Sequence, residues 1–243
     1  MSRFYISKES IEGNTITITG EEAHHILDVM RLKKLDKVVT FDGTGREYVG
    51  FIKDVKAKSL TIEVVQTRTP KTSRNVEVTL IQAIPKKERM DYIVEKSTEL
   101  GVSLIIPIIT ARTIPSWDEF KKSAHVKRWR KMAREASKQC GRADVPAVFE
   151  IMNFKDAIKR QEDYDLRLIA TLSEEAGRLK DILNGFKGEK ISIAIGPEGD
   201  FTTDEVEEAK ASGFKPVGLG PRVLKSDTAG LTVLAILNYE LGH

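Results

Sequence analysis

The chain has 243 residues, of which 40% are hydrophobic and 31% charged, the composition of an ordinary globular protein of one large or two modest domains. No apolar run reaches the roughly 18–20 residues that cross a bilayer. The first residues, MSRFYISKES, lack the apolar core of a secretion signal, and the single cysteine, Cys140, cannot form an intrachain disulfide. We therefore expect a cytoplasmic protein with no membrane partner. The net charge of +3 gives little information about the binding partners of the protein.

The N-terminal part of the chain is predicted to be a small β-barrel with one helix. Asp42-Gly43 after an apolar run is a strong hairpin signal. Thr19 and Glu22 have the spacing of a capping box, and an apolar stripe follows them. The stripe residues are Ala23, Ile26, Leu27 and Met30. The strand candidates are Thr15–Thr19, Val38–Phe41, Tyr48–Lys53 and Leu60–Val65.

The polar segment Gln66–Asn75, broken by Pro70, is the predicted linker between domains 1–70 and 74–243. Beyond it, strand and helix patterns alternate, which predicts a mainly parallel sheet with helices on both faces. Thr202 and Glu205 give a second capping box. Strand candidates are Val76–Ile84, Leu104–Ile109, Leu166–Thr171, Ile191–Ile195 and Pro216–Leu219. Helix candidates are Arg89–Leu100, Val126–Gln139, Phe154–Arg160, Glu174–Leu183, Thr203–Ser212 and Thr228–Leu241.

Two glycine-rich turns are the most informative local feature. Gly196-Pro197-Glu198-Gly199 and Gly218-Leu219-Gly220-Pro221 each follow a short apolar strand. Glycine permits positive φ and close approach of a ligand, and ligands of α/β sheets bind outside the carboxyl ends of the strands. The two turns therefore predict one pocket, although each could also be an ordinary strand-to-helix turn.

The charges near the turns indicate the kind of ligand. Glu198 and Asp200 place negative charge beside the helix start at Thr202, which opposes the anion that a helix N-terminus otherwise favours. The segment Arg222–Gly230 mixes apolar side chains, able to hold a flat base, with polar groups. We expect a positively charged cofactor that carries adenine. A metal is not expected, because His24 and His25 are adjacent on a helix and point apart, and Cys140 has no cysteine partner.

A basic segment, from Lys121 to Arg142, holds nine cationic residues against one acid, Glu135. Such clusters are typical of surfaces that bind phosphate backbones, and the alternative is a solvated helix face. Trp117 and Trp129 could stack on bases. The pattern around Trp129 favours a core or interface position instead.

Several motifs together resemble the SPOUT methyltransferases, in particular the group that methylates a uridine ring nitrogen of small-subunit (16S) ribosomal RNA. GPEGDF, LGPRVLKSDTA and a final apolar helix carry the resemblance in the C-terminal half. PKKERMDYIVEKSTELGVSLIIPIITARTI and KRWRKMAREASKQCGRADVP resemble the first half of the catalytic domain. RFYI, EEAHHILDVMRL and FDGTGREYVG resemble the family's PUA-like RNA-binding β-barrel.

The resemblance implies an α/β fold with a trefoil-knotted sheet, S-adenosylmethionine as cofactor, and a homodimer. It also implies the cofactor-binding residues. Asp200 departs from the family pattern, which has a second glycine there, and Lys225-Ser226-Asp227 replaces the usual Arg-Thr-Glu. The cofactor-binding residues so implied are Thr171, Leu172, Ser173, Gly196, Pro197, Glu198, Gly199, Leu219, Gly220, Val223, Leu224 and Thr228.

The implied reaction requires loss of the uracil imide proton, which calls for a base or for a cation at the neighbouring carbonyl oxygens. Glu198 is either the base or a loop carboxylate that accepts hydrogen bonds from local backbone amides. Solvent is the alternative proton acceptor. Arg222 is the candidate for the uracil oxygens. The candidate RNA-binding residues are Arg3, Arg31, Arg46, Arg112, Lys121, Lys127, Arg128, Arg130 and Arg142.

The alternative functions are a non-catalytic RNA-binding ribosome assembly factor and a SPOUT methyltransferase that acts on another RNA. The last helix bears on the oligomeric state, because it is more apolar than one buried stripe requires. Either a homodimer or complete burial within the monomer explains this. Its apolar residues are Leu231, Leu234, Ala235, Ile236, Leu237 and Leu241.

Overall fold

The computed structural model of the protein describes residues 3–70 and 76–241. They form two compact units, one of residues 3–70 with Arg134–Val145 and one of residues 76–133 with 146–241. The sequence did not predict that Arg134–Val145 joins the first unit. Within the predicted linker, positions 66–68 are the end of a strand rather than a loop, and positions 71–75 lie outside the described residues.

The first unit is built on a six-stranded sheet in the order β1-β4-β5-β6-β3-β2. Neighbouring strands are antiparallel except β1 and β4, which are parallel. The four predicted strands are confirmed, whereas β1 and β2 are too short to give a periodic signal. The strands are β1 (Arg3–Tyr5), β2 (Ile11–Glu12), β3 (Thr15–Thr19), β4 (Lys37–Phe41), β5 (Glu47–Lys56) and β6 (Ser59–Arg68).

A bulge in β5 allows this sheet to bend around its core. The pairing of β5 with β6 shifts register between Val49 and Gly50. A Cβ atom at Gly50 would lie 2.4 Å from the carbonyl oxygen of Glu63, so only glycine fits the bend. Inward-facing side chains such as Phe4, Ile16, Val38, Ile52 and Leu60 fill the core.

The predicted helix of this unit is shorter than expected. Helix α1 (Gly20–His24) continues as one π-helical turn over His25–Val29, and Met30 is 44% exposed although Ile26 is buried. The predicted capping box is wrong, because the Thr19 side chain makes no capping bond. The Glu22 carboxylate instead accepts the Tyr5 amide hydrogen at 3.2 Å and pairs with Lys138 at 3.0 Å.

A buried carboxylate holds the turn after β4. Burial raises the pKa of Asp42. Hydrogen bonds from the hydroxyl and amide of Thr44 and from the Tyr48 hydroxyl lower it by a larger amount, so the net pKa lies below its ordinary value. The stability that this carboxylate contributes is complete above the ordinary pKa of about 3.9 and is lost as the pH falls through the lower folded-state value.

The second unit contains a parallel sheet in the order β10-β8-β7-β13-β11-β14-β12, with β9 paired to β8. Its strands are β7 (Glu77–Ala83), β8 (Leu104–Ile109), β9 (Ala147–Val148), β10 (Met152–Asn153), β11 (Leu166–Ala170), β12 (Gly177–Arg178), β13 (Lys190–Ile195) and β14 (Lys215–Gly218). Its helices are α2 (Arg89–Glu99), α3 (Glu119–Cys140), α4 (Phe154–Lys159), α5 (Leu179–Leu183), α6 (Thr203–Ala211) and α7 (Ser226–Leu241).

Most predicted elements of this unit are confirmed to within a few residues, and so is the capping box of Thr202 and Glu205. Helix α3 begins earlier than predicted and ends in the first unit. The predicted helix Glu174–Leu183 is wrong in its first half. Gly177–Arg178 pairs with β14 as an edge strand, so only Leu179–Leu183 is helical.

Helices cover both faces of the parallel sheet, as predicted. Alternate residues of a strand point to opposite faces. Ile81 packs in a core with residues of α4 and α6, whereas Leu80 and Gln82 face Gly230 of α7.

The C-terminal path returns across the sheet. Strand β14 pairs with β11 and β12, but α7, which follows it, packs on α2, β7 and β13. A knot requires such a return, and the knot itself stays a prediction. None of the helices within 3–70 and 76–241 is long and apolar enough to span a membrane.

Candidate functional site

A cavity of about 630 Å³ lies at the carboxyl ends of β11, β13 and β14. The loops after these three strands and the start of α7 form its walls. The prediction that the turns at Gly196 and Gly220 converge on one pocket is confirmed, because residues of both turns line this cavity. Its size is within the range of small-molecule sites, roughly 300–1,000 Å³.

A buried serine at the start of α7 joins the first turn to strand β7. The Ser226 hydroxyl, in a residue that is 5% exposed, donates to the carbonyl oxygen of Gly196 at 2.6 Å and accepts from Nε2 of Gln82 at 3.0 Å. Gln82 lies in β7 and is fully buried. A Cβ atom at Gly230 would lie 3.1 Å from Gln82 Oε1, so glycine allows α7 to approach the sheet closely. These contacts place the start of α7 against the floor of the cavity.

The loop after β13 is held from outside by neighbouring loops. The Arg112 guanidinium donates to the carbonyl oxygens of Gly199 at 2.6 Å and Phe201 at 3.3 Å. Glu198 Oε1 accepts the amide hydrogen of Lys86 at 3.0 Å. One oxygen of Glu205 accepts from the Ala111 amide at 2.8 Å, and its other oxygen accepts from the N-cap amide of α6 at 2.9 Å. The wall of the cavity is therefore braced by the segments that follow β7 and β8.

Charges of both signs line the cavity. Glu198 and Asp200 contribute carboxylates, and Arg222 and Lys225 contribute cations. Arg222 is exposed, and its guanidinium forms no ion pair with the described residues. Apolar side chains of Leu219, Val223 and Leu224 complete the lining, and Val223 is 75% exposed. Such a site suits a ligand with a positive group and a flat apolar ring.

All the residues that the resemblance implies for the cofactor line the cavity except Gly199 and Thr228. The Gly199 carbonyl is turned toward Arg112, and Thr228 is exposed on α7 with its hydroxyl bonded to Asp227. The implied cofactor-binding set leaves out further lining residues, several of which belong to the second turn or to the segment Arg222–Gly230 that the sequence had already assigned to the pocket. The omitted residues are Ala170, Ala176, Ile195, Asp200, Gly218, Pro221, Lys225, Ser226 and Ala229.

Two candidate RNA-binding arginines of the first unit are engaged within it. Arg3 pairs with the buried Glu47 and donates to the carbonyl oxygen of Arg142 at 3.0 Å. Arg142 itself pairs with Asp144. The other two candidates of this unit, Arg31 and Arg46, are exposed.

In the second unit, three further candidates are similarly engaged. Arg112 braces the loop after β13, Arg128 pairs with Asp91, and Arg130 donates to the Val148 carbonyl oxygen and pairs with Glu150. Lys121 and Lys127 are exposed, and their ammonium groups form no ion pair with the described residues. The phosphate role of all these residues stays a prediction.

The core position of Trp129 is confirmed, since the residue is 1% exposed and its Nε1 donates to Asp91 at 3.0 Å. Trp117 stacks on His125 with ring centroids 3.9 Å apart. Among the residues that the structure describes, no cluster of three or more His, Cys, Asp or Glu could hold a metal ion.

Comparison with known proteins agrees with this architecture. Residues 72–238 match the RNA methyltransferase domain, and residues 18–65 match the RNA methyltransferase PUA domain. The Bacillus subtilis ribosomal RNA small subunit methyltransferase E is 32% identical over 99% of this chain and 97% of its own length. The protein of that name from Neisseria gonorrhoeae, solved with S-adenosyl methionine, has a TM-score of 0.88 and 30% identity, covering 98% of this chain and 97% of the other.

A second solved structure is similar to the chain. A methyltransferase from Legionella pneumophila, in complex with bound SAM, has a TM-score of 0.86 and 29% identity over 98% of this chain and 96% of its own. An RNA methyltransferase domain of SPOUT fold preceded by a PUA domain is thus the class of protein that the fold and the cavity define. More narrowly, the chain belongs to the family of the ribosomal RNA small subunit methyltransferase E proteins.

We expect Ser226→Ala to destabilise the second unit by about 2 kcal/mol, because the buried Gly196 carbonyl oxygen loses its hydroxyl donor and one amide hydrogen of Gln82 loses its acceptor. Urea unfolding followed by tryptophan fluorescence measures this, since both tryptophans lie in that unit. Thr232→Ala is the matched control, because that hydroxyl only donates to a carbonyl oxygen of its own helix. Equal unfolding midpoints for the two variants would contradict the role of Ser226.

Proposed function

We propose that the protein uses S-adenosylmethionine to methylate a ring nitrogen of a uridine, at N3, in small-subunit ribosomal RNA. The observation that carries the proposal is the single cavity formed by the turns at Gly196 and Gly220, with an apolar side and two carboxylates. The names and bound cofactors of the relatives support it. We infer a cytoplasmic location from the proposed ribosomal RNA substrate.

The lining residues fit S-adenosylmethionine. Leu219, Val223 and Leu224 would hold the adenine, and Glu198 would offset the positive charge of the ligand. When bound, this cofactor supplies a methyl group on a positively charged sulfur. The protein would contribute by fixing donor and acceptor in line, since orientation of two reactants lowers a barrier by roughly 7–11 kcal/mol.

The side chains of the cavity also suggest how the uracil imide proton is lost. Arg222 would stabilise negative charge on the uracil oxygens, and its freedom from ion pairs among the described residues favours this role. Glu198 keeps Oε2 for a proton, since only Oε1 accepts the Lys86 amide. Water is the alternative acceptor, and a Glu198→Gln variant with a full methylation rate would assign the proton to water.

The decisive experiment incubates the protein with unmodified small-subunit RNA, or with assembled subunits, and labelled S-adenosylmethionine. We expect one methyl group on a uracil ring nitrogen, located by mass spectrometry of nuclease fragments. A label on ribose or another base would contradict the proposed acceptor. Absence of cofactor binding at millimolar concentration in calorimetry would instead support a non-catalytic assembly factor.

The Gly220→Val variant tests whether the second turn is part of the cofactor site. Gly220 has φ +114°, which a β-branched residue does not tolerate, although no atom within 4 Å would clash with a Cβ there. We expect it to lose cofactor binding by at least about tenfold while the unfolding midpoint changes little, because the strained turn redirects the cavity wall. Unchanged affinity would remove this turn from the site.

We infer that Lys121 and Lys127 contact RNA phosphates, because both side chains are exposed and neither ammonium group forms an ion pair with the described residues. Reversal of both to Glu is expected to lower RNA affinity about tenfold and to flatten its salt dependence, without changing cofactor affinity. Lys180→Glu with Lys187→Glu changes the net charge equally and is the control. Filter binding at several salt concentrations measures the effect, and equal losses in both double variants would reject a specific contact.

We also infer a homodimer through α7. Val233, Leu234 and Leu237 are buried within the unit, but Leu231 and Ile236 are only partly covered and Ala235 is exposed. The apolar face is thus not fully used by the monomer. Sedimentation equilibrium is expected to give twice the 27.2 kDa chain mass, and Ile236→Glu is expected to give the monomer mass. A wild-type monomer at micromolar concentration would reject the dimer.

A further inference from the structure

Asp200 occupies a backbone conformation that usually belongs to glycine. Its φ is +59°, in the left-handed region that costs most side chains energy, although Asp tolerates it better than most. Glycine adopts this conformation at the least cost. The turn itself therefore does not need a side chain here, and the carboxylate must be judged by what it contacts.

The two carboxylate oxygens bind two different loops. Oδ1 accepts the amide hydrogen of Phe201 at 2.8 Å, and Oδ2 accepts the amide hydrogen of Leu172 at 3.3 Å. Leu172 belongs to the loop after β11, whereas Asp200 belongs to the loop after β13. The carboxylate thus spans the cavity wall from one loop to the other.

The carboxylate lies beside Gly196. A Cβ atom at Gly196 would lie 3.1 Å from Asp200 Oδ1, so the absence of a side chain at Gly196 leaves the space that the carboxylate occupies. Asp200 is half-buried and lines the cavity. Its contact with Leu172 is therefore made at the cavity itself.

The loop after β11 has few other attachments on this side. Leu172 is 64% exposed, and the Ser173 amide donates only to Thr171 of the same loop. The loop is otherwise joined to the β13–α6 region by an exposed ion pair of Glu175 with Lys210 in α6. Such surface pairs contribute little to holding a loop.

We propose that Asp200 is a positioning residue that fastens the Leu172 loop to the Gly196–Gly199 turn and so keeps the cavity ready for the methyl donor. The proposal rests on the proposed function for the identity of that ligand. When a loop is in the binding conformation for only part of the time, the apparent affinity falls by that fraction. Loss of the Leu172 contact should therefore weaken binding of every ligand that needs the closed wall.

Asp200→Gly and Asp200→Asn test this role. Glycine removes the carboxylate and suits the left-handed backbone, and asparagine keeps the shape but has only one acceptor oxygen for two amides. For both variants we expect the dissociation constants of S-adenosylmethionine and of its demethylated product, S-adenosylhomocysteine, to rise by a similar factor of about ten. Calorimetry measures both constants, and the unfolding midpoint is expected to stay near that of the wild type.

Hydrogen exchange without any ligand tests the contact independently. The amide of Leu172 is expected to exchange faster in Asp200→Gly than in the wild type, whether or not the protein binds the cofactor. Leu35→Gly, at another left-handed position in the first unit, is the control for relief of backbone strain and should change neither exchange nor affinity.

Three results would overturn the proposal. Unchanged exchange at Leu172 would show that the carboxylate fastens nothing, and unchanged affinity for both ligands would show that the fastening does not matter. Weakening of S-adenosylmethionine alone would make Asp200 a counter-ion of the sulfonium rather than a positioning residue. A wild-type protein that binds neither ligand would refute the proposed function, and the exchange experiment would still decide the contact.

Discussion

The Ser226 hydroxyl is the contact on which the geometry of the cavity depends. It donates to Gly196 in the first turn, accepts from Gln82 in the central strand β7, and begins the helix that follows the second turn. Three segments far apart in the chain thus share one buried hydroxyl. Because a buried polar group that loses its partner is costly, a shift of the first turn relative to β7 or to the start of α7 would be unfavourable. Gly230 completes the arrangement, since it lets α7 lie close enough to the sheet for the serine to reach both partners.

Several charged side chains in the loops around the cavity hold those loops in place through hydrogen bonds to backbone groups. Glu205 caps α6 and binds the Ala111 amide, Arg112 holds two carbonyl oxygens, and Glu198 accepts from Lys86. A rigid wall of this kind reduces the ordering that a ligand would otherwise require on binding. Charged side chains that form no ion pair with the described residues, such as Arg222, remain available to bind a substrate. A charged group that already has a protein partner therefore holds a loop, and one without a partner can bind a ligand.

Engaged cations also change the interpretation of the basic segment. Its cluster of Lys and Arg is typical of a phosphate-binding surface, but Arg128 and Arg130 pair with acids that are distant in sequence, and Arg142 pairs with a near neighbour. Trp129 is buried between them and donates to the acid that Arg128 also binds. A count of cationic residues in a sequence takes no account of the ion pairs that they form in the folded protein. It therefore overestimates the number of cations that can bind a nucleic acid.

The sequence alone determined the strand and helix order, the family and the two turns, because apolar runs, capping residues and glycines act over a few positions. The confirmed Thr202 capping box is of this kind. Only the tertiary structure decided that Ser226 and Arg112 hold the loops, that Arg134–Val145 joins the first unit, and that Glu22 binds Tyr5 and Lys138 instead of capping its helix. Each of these depends on which segments become neighbours, and no local pattern contains that information. The short edge strand Gly177–Arg178 is the same case, since its conformation comes from β14 and not from its own residues.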